Sequence, residues 1–298
     1  MRSDPCRRST LGVTIGGANM RLWFTCRSVT MVSEPFDFIK VSLPPLLSIT
    51  DILSMHEQAT SQLIHFFCSV AFADDHQLGW DPSIGRILVN DRVQYEITLN
   101  SPDGLSTTYV TTNIIADFGA EPMEGRGTRV FEGYRKGDPD KTPVVIKDTW
   151  RAFDRKREDV ILKEIFVDMT KVMGKAEAKD AKKYFLTVLD ADDVAIKGNL
   201  DDTLCLLRGN DPPSECKIYE IPFEEPWDAD ELPRETTLTH TVADFKVSHK
   251  IHTRIVFKEV CETLYSVRDL RGVMQMLLDV LKGVNARSSR RFIHLTGL

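Results

Sequence analysis

The sequence lacks several features that would assign it quickly to a class of protein. It has six cysteines, and no two of them have C-x-x-C spacing. That pattern argues against a metal site and favours a reduced, intracellular protein, either cytoplasmic or nuclear. No apolar run approaches the length of a membrane span. A net charge of −6 gives no indication of a nucleic-acid surface.

Three short segments between residues 125 and 164 carry the chemistry. Gly125 and Gly127 form a Gly-x-Gly turn between two predicted strands, Lys147 ends an apolar strand, and a helix bearing acidic residues follows. In this order they are the parts with which a protein kinase holds ATP: backbone over the phosphates, a lysine on them and a helix glutamate that holds the lysine. Taken separately, the glycines also fit a plain β-hairpin turn, and the lysine fits a solvated strand end.

The helix offers two acids as partners for Lys147. Apolar residues recur at helical spacing between residues 153 and 173. At roughly 100° per residue, Glu158 falls inside the apolar arc and Glu164 falls outside it. Because a buried, unpaired carboxylate is costly, we predict that Glu158 pairs with Lys147 and that Glu164 is solvated.

Other segments have simpler interpretations. Alternating residues at 93–99 and 109–114, separated by the turn 101–104, predict a β-hairpin. Residues 267–284 have the apolar spacing of an amphipathic helix. Three histidines, His240, His249 and His252, lack metal-ligand spacing with nearby acids and are interpreted as surface residues.

At this point the sequence resembles the fungal-type protein kinase family. The resemblance is carried by blocks at residues 19–24, 34–38, 78–82, 125–128, 145–150 and 254–260. It covers residues 19–283 with an interruption at 41–61, and the blocks at 78–82 and 145–150 are the most specific. It implies an α+β fold: a protein kinase-like N-lobe, made of an antiparallel sheet plus an αC-type helix, behind an N-terminal α/β extension.

The resemblance also implies a site for Mg-ATP, formed by Gly125, Gly127, Val130, Lys147, Glu158, Glu259 and Val260. The two glycines would line the nucleotide, and Val130 stands where the third loop glycine usually falls. The lysine would contact the phosphates and pair with the helix glutamate. The last two residues would form a backbone hinge against the adenine.

The predicted organisation has five parts. They are a poorly ordered N-terminus (1–18), the family's extension (19–120) with an irregular insertion at 41–61, the N-lobe (121–260) with an acidic loop near 211–232, a hinge with the first C-lobe helices (261–284), and an irregular basic tail (285–298). The insertion is interpreted either as a genuine loop or as a retained intron.

Three segments spell kinase motifs in the wrong context. Residues 117–119 (Asp-Phe-Gly) precede the glycine loop, 194–197 (Val-Ala-Ile-Lys) have no glycine loop before them, and 267–270 (Val-Arg-Asp-Leu) have Met274 where a metal-binding Asn would stand. Motifs count only in their structural context. We therefore predict no catalytic residue and no metal ligand. Because the resemblance stops at residue 283 and the tail 285–298 has no Asp or Glu, we also expect a truncated C-lobe.

The expected function follows from the resemblance. The family activity is ATP-dependent phosphorylation of protein Ser/Thr, and the chain is expected to be an inactive fragment of such a kinase. The alternatives are a non-enzymatic, pseudokinase-like module that binds nucleotide or a protein, and a non-productive gene product. Expected partners are a protein substrate or binding partner, with no nucleic acid and no membrane. An exposed lobe interface on 267–284 predicts oligomerisation or chaperone association.

Overall fold

The alternating pattern at residues 93–114 forms the predicted hairpin, with Ile97 opposite Tyr109. A computed structural model describes residues 4–38, 63–100, 104–117, 125–207, 209, 247–261 and 270–287. The predicted insertion at 41–61 and the acidic loop at 211–232 lie outside the described residues. So does His240.

The strands are β1 (Thr10–Gly16), β2 (Asn19–Thr25), β3 (Thr30–Val32), β4 (Phe36–Asp37), β5 (Ile84–Val89), β6 (Arg92–Asn100), β7 (Ser106–Ala116), β8 (Arg129–Arg135), β9 (Pro143–Ala152), β10 (Val188–Asp193), β11 (Ala195–Ile196), β12 (Asn199–Leu200) and β13 (Lys250–Phe257). The helices are α1 (63–71), α2 (Glu158–Met173), α3 (Lys175–Ala181), α4 (Thr203–Leu206) and α5 (Leu270–Arg287), with a 3-10 turn at Lys182–Tyr184.

A seven-stranded antiparallel sheet in the order β10-β13-β9-β8-β7-β6-β5 forms the main body. Its main apolar core includes Ile97, Leu99, Phe131, Ile146 and Val256, all almost fully buried. The α2 helix follows β9 in the chain, and its start comes within hydrogen-bonding reach of that strand. The described part of the chain therefore has an α+β fold dominated by antiparallel sheet.

Three features of the predicted organisation differ from the structure. The N-terminus predicted to be poorly ordered contains β1, which pairs with β2 along its full length. The boundary at 120/121 falls between β7 and β8, which are neighbours in one sheet. Strand pairing accounts for both differences. β1 is ordered by its pairing with β2, and residues 19–120 supply three strands of the same sheet that contains Lys147. At the other end, α5 continues to Arg287, three residues into the predicted irregular tail.

Charged side chains form a buried network against β9 and β13. His252 Nε2 lies 2.8 Å from Asp148 Oδ1, and Arg254 Nε donates to the same oxygen at 2.8 Å. Arg254 Nη2 donates to Asp81 Oδ2 at 2.5 Å. The second ring nitrogen of His252, Nδ1, lies 2.8 Å from Asp201 Oδ2. The network therefore joins two neighbouring strands to segments more than 50 residues away in sequence.

The N-terminal segment extends this network through Arg8. Its Nη1 donates to Asp201 Oδ1 at 2.7 Å, and the rest of its guanidinium donates to the carbonyl oxygens of His76 and Trp80. Only 6% of the Arg8 side chain is exposed. Breaking a buried ion pair by removing one partner costs about 3–5 kcal/mol, because the other charge remains buried and unpaired. Arg8 thus ties the start of the described chain to the centre of the fold.

His252 is a buried cation, and its interpretation as a surface residue was wrong. Only 2% of it is exposed, and its ring stacks on Trp150 with centroids 4.6 Å apart. Both ring nitrogens face carboxylate oxygens, which accept and cannot donate, so both must carry hydrogen. Burial opposes this charge, but the charge of Asp148 and hydrogen bonds to Asp148 and Asp201 raise the pKa of His252 to about 9.

The pH dependence of folding tests this assignment. The folded-state pKa of about 9 lies above the ordinary histidine value of 6.5. The charge of His252 therefore stabilises the fold fully below pH 6.5, and that contribution is lost as pH rises through about 9. We expect the free energy of unfolding to fall by up to about 3 kcal/mol between pH 6.5 and 9.5. Urea denaturation across this range measures it. In His252→Asn the decline should flatten, and an unchanged decline in that variant would contradict the assignment.

Candidate functional site

Lys147 lies in the middle of β9, with Val130 of β8 and Ile255 of β13 directly opposite on either side. The sequence placed it at the end of a strand, but pairing with β13 carries β9 on to Ala152. Its side chain is 22% exposed. Val130 packs against the apolar cluster of Val145, Ile255 and Phe257. Lys147 is therefore flanked on both neighbouring strands by residues that pack in the same apolar cluster.

Lys147 and Glu158 form an ion pair. Lys147 Nζ donates to Glu158 Oε2 at 2.6 Å. The predicted partner is therefore the acid that reaches the lysine, whereas Glu164 is 53% exposed and pairs with Lys156. The reason given for choosing Glu158 was wrong: its side chain is 45% exposed. Glu158 is the first residue of α2 and is not among the buried residues of that helix.

The buried acid of this helix is Asp159. Its side chain is 1% exposed and takes hydrogen bonds from Arg157 Nε at 2.5 Å and Arg157 Nη2 at 3.2 Å. Burial raises the pKa of the Asp159 carboxyl, but the arginine hydrogen bonds and charge outweigh burial and lower it overall. Asp159 is therefore the buried acid at the start of the helix, and Glu158 is the partner of Lys147.

The glycine segment continues alongside β9 beyond Lys147. The Arg126 carbonyl accepts from the Trp150 amide at 2.7 Å and from Thr149 Oγ1 at 3.3 Å. Gly125 has a φ of 125° and open space around the position a Cβ would take. The segment is thus held two to three residues from Lys147 along the strand, with Gly125 free of side-chain obstruction.

Gly127 is required by a contact that the sequence did not indicate. Its φ is 54°, and an added Cβ would lie 2.6 Å from Arg27 Nε. Arg27 is only 1% exposed, so its guanidinium cannot swing into solvent to make room. Close approach of a buried arginine explains this glycine, whereas the sequence interpretation invoked close approach of a phosphate.

The two proposed hinge residues follow β13 directly. Glu259 Oε2 accepts from the Thr187 amide at 2.7 Å, and the Lys258 amide donates to the Thr187 carbonyl. Val260 is 42% exposed. The Glu259 carboxylate is therefore used to fix the end of β13 against the chain leading into β10. No hydrogen bond or ion pair among the described residues joins this pair to Lys147.

The misplaced kinase motifs fall in ordinary structure where it is described. Lys197 occupies the turn between β11 and β12 with a φ of 52°, and its Nζ contacts Asp74 at 2.8 Å on the surface. Asp117 follows β7, whereas residues 118–119 and 267–269 lie outside the described ranges. Within those ranges, no group of three or more His, Cys, Asp or Glu side chains is arranged to hold a metal ion.

Comparison with known proteins gives one match. A family model described as fungal protein kinase matches residues 1–294. The chain therefore belongs to the fungal protein kinase family. The match extends beyond residues 19–283, where the sequence blocks lie, and includes the segment 41–61. No curated protein and no solved structure matched the chain.

None of the helices in the described ranges has the length and apolar character needed to cross a bilayer.

The contact at Gly127 yields a stability prediction. Gly127→Ala must hold an alanine at positive φ, which costs about 1 kcal/mol, and must also displace buried Arg27. Gly17→Ala is the matched control, since Gly17 has a φ of 62° and open space around it. We expect Gly127→Ala to lower the free energy of unfolding by about 1–3 kcal/mol more than the control. Equal losses in urea denaturation would show that Arg27 yields freely.

Proposed function

We propose that this chain provides the nucleotide-binding N-lobe of a protein kinase. In this assignment β7, β8, β9, β13 and β10 form the lobe's sheet, and α2 is its αC-type helix. The observation that carries the proposal is the 2.6 Å ion pair between Lys147 and Glu158. A kinase needs this strand-lysine to helix-glutamate pair in place before it can transfer a phosphoryl group. Membership of the kinase family supports the same assignment.

The residues present fit the phosphates of ATP. The Lys147 ammonium is partly exposed and oriented by a carboxylate, so it can donate to a phosphate oxygen while it keeps its partner. Gly125 leaves its backbone open to close approach. Val130 would lie beneath the nucleotide as part of the apolar row, and the backbone at Glu259 and Val260 would face the adenine.

The described residues do not fit a protein-held magnesium ion, because they contain no group arranged for a metal. In this proposal Mg²⁺ enters with the nucleotide phosphates and is not held by these residues. Phosphoryl transfer also needs an acid that orients the attacking hydroxyl. The Arg-Asp segment near residue 269 lacks the following metal-binding Asn. We propose that the chain binds nucleotide without transferring its phosphoryl group, as a pseudokinase-like module does.

Nucleotide titration tests the site. Lys147→Ala removes the charge proposed to contact the phosphates, so we expect the Kd for Mg-ATP in calorimetry to rise about tenfold or more. Lys156→Ala is the matched control, since Lys156 forms an exposed ion pair at 2.5 Å with Glu164, which lies on α2 as Glu158 does. It should bind as the unaltered protein does. Tight, magnesium-dependent binding that survives Lys147→Ala would refute the role of this lysine.

An exposed apolar face on α5 supports the proposal that the chain associates with itself or with chaperones. Met274, Leu277, Leu278 and Leu281 are each 45–55% exposed. Such contiguous apolar surface is uncommon on soluble monomers.

Light scattering after size exclusion tests this association. We expect oligomers from the unaltered chain and a shift to monomer in Leu277→Glu/Leu281→Glu, because charge on this face opposes its burial. Gln275→Lys, on the same helix, adds a charge outside the apolar set and keeps a donor beside Asp279, which accepts from Gln275 in the unaltered chain, so it should leave the oligomers unchanged. A monodisperse monomer from the unaltered chain would contradict the proposal.

A further inference from the structure

Asp193, the last residue of β10, joins three elements near the candidate site. Its carboxylate accepts from Arg151 Nη2 of β9 at 2.9 Å and from Thr253 Oγ1 of β13 at 2.8 Å. Arg157 Nη1 lies 3.5 Å from the same carboxylate. The side chain is 27% exposed, so these contacts are only partly screened by water. One acid thus connects the sheet to the residue just before α2.

Arg157 transmits this connection to the helix. It is the N-cap residue of α2, and no side-chain hydrogen bond caps the helix there. Its guanidinium instead makes a two-pronged contact with buried Asp159 while it faces Asp193. A planar guanidinium held along two of its edges in this way has little rotational freedom. The start of α2 is therefore fixed by charge contacts to the sheet.

Glu158 lies between the two residues of this contact. The side chains of its two neighbours, Arg157 and Asp159, are hydrogen-bonded to each other. The backbone of Glu158 therefore cannot rotate without breaking that contact. Further along the helix, Leu162 packs against the cluster of Val145, Ile255 and Phe257. Because Glu158 is half-exposed, packing around its own side chain does not hold it in place. The flanking contacts fix the backbone from which its carboxylate reaches Lys147.

We infer that Arg157 and Asp193 are positioning residues that hold the Glu158 carboxylate against Lys147. The inference rests on the proposed function for its purpose, which is to prepare the lysine for the nucleotide phosphates. The geometry it describes exists without nucleotide and can be tested without it. Neither residue was identified from the sequence. The available signal was an Arg-Glu-Asp run at the helix start, in which only the middle residue was assigned a role.

The test measures the rate at which an N-hydroxysuccinimide acetate modifies Lys147, followed by mass spectrometry of the nucleotide-free full chain. Lys156, paired with Glu164, serves as the internal reference lysine. The variants are Asp193→Asn, Arg157→Gln, Arg157→Lys and Glu158→Gln, together with Asp193→Asn in the Glu158→Gln background. Asp168→Asn is the control, since it removes an exposed carboxylate that pairs with Lys171 on the same helix. Circular dichroism establishes that each variant is folded.

We expect Asp193→Asn and Arg157→Gln to raise the Lys147 rate about threefold relative to Lys156, the scale of losing one partly exposed ion pair. Arg157→Lys, which keeps the positive charge, should restore part of the protection. Adding Asp193→Asn to Glu158→Gln should change nothing further, because the effect acts through Glu158. A purely structural role would lower the melting temperature in both backgrounds without this dependence.

An unchanged Lys147 rate in folded Asp193→Asn would overturn the inference, and so would an equal rise at Lys156 or an additive effect in the Glu158→Gln background. If Asp193→Asn does not fold, Arg157→Gln and Arg157→Lys decide the question by the same criteria. Mg-ATP titration of the unaltered chain is a separate measurement. Absence of binding there would reject the proposed function, whereas the labelling pattern alone would decide whether these residues position Glu158.

Discussion

Asp148 receives two buried cations from one neighbouring strand, and the rest of the structure depends on this contact. His252 and Arg254, separated by Thr253 on β13, both reach the same carboxylate oxygen. Through Asp81 and Asp201 they connect onward to the segment before β5 and to Arg8. A buried ionic network is weak evidence for overall stability, since apolar replacements are often as stable. Removing any one partner, however, strongly destabilises the fold because the other charge stays buried and unpaired. The network specifies which strands lie together.

This specification bears directly on the candidate site, because successive residues of a strand point to opposite faces. Asp148 points into the buried network, and its neighbour Lys147 therefore points to the other face, where Glu158 meets it. A slip of one residue between β9 and β13 would exchange these faces. The buried charges on one side thus hold the register that presents the lysine on the other. Two of the sequence blocks that carry the family resemblance, at 78–82 and 145–150, meet at this point.

The sequence was sufficient where a pattern is local. Alternation predicted the β6–β7 hairpin, and apolar spacing predicted α2. Order along the chain led to Lys147 and Glu158 as a pair. Glu158 was chosen because it was expected to be buried, but the buried acid is Asp159. The nucleotide roles of the glycines, Val130 and the two hinge residues remain predictions.

Long-range contacts could not be predicted in this way. His252 looked like a surface residue because its acids, Asp148 and Asp201, are 104 and 51 residues away. Arg27 likewise gave no sign that it would explain Gly127. A usable signal did exist: His252 and Arg254 interrupt a strand whose other residues after Lys250 are β-branched or aromatic. Polar residues in such a buried strand require partners.

The central claim is that Lys147 contacts the phosphates of a bound nucleotide, and an ATP acyl phosphate tests it most directly. Such a reagent transfers its acyl group to a lysine amine beside the bound phosphates, and mass spectrometry identifies the modified residue. The account predicts modification at Lys147 that excess Mg-ATP suppresses. Modification elsewhere, for example at Lys197, or modification of Lys147 that Mg-ATP does not reduce, would contradict it.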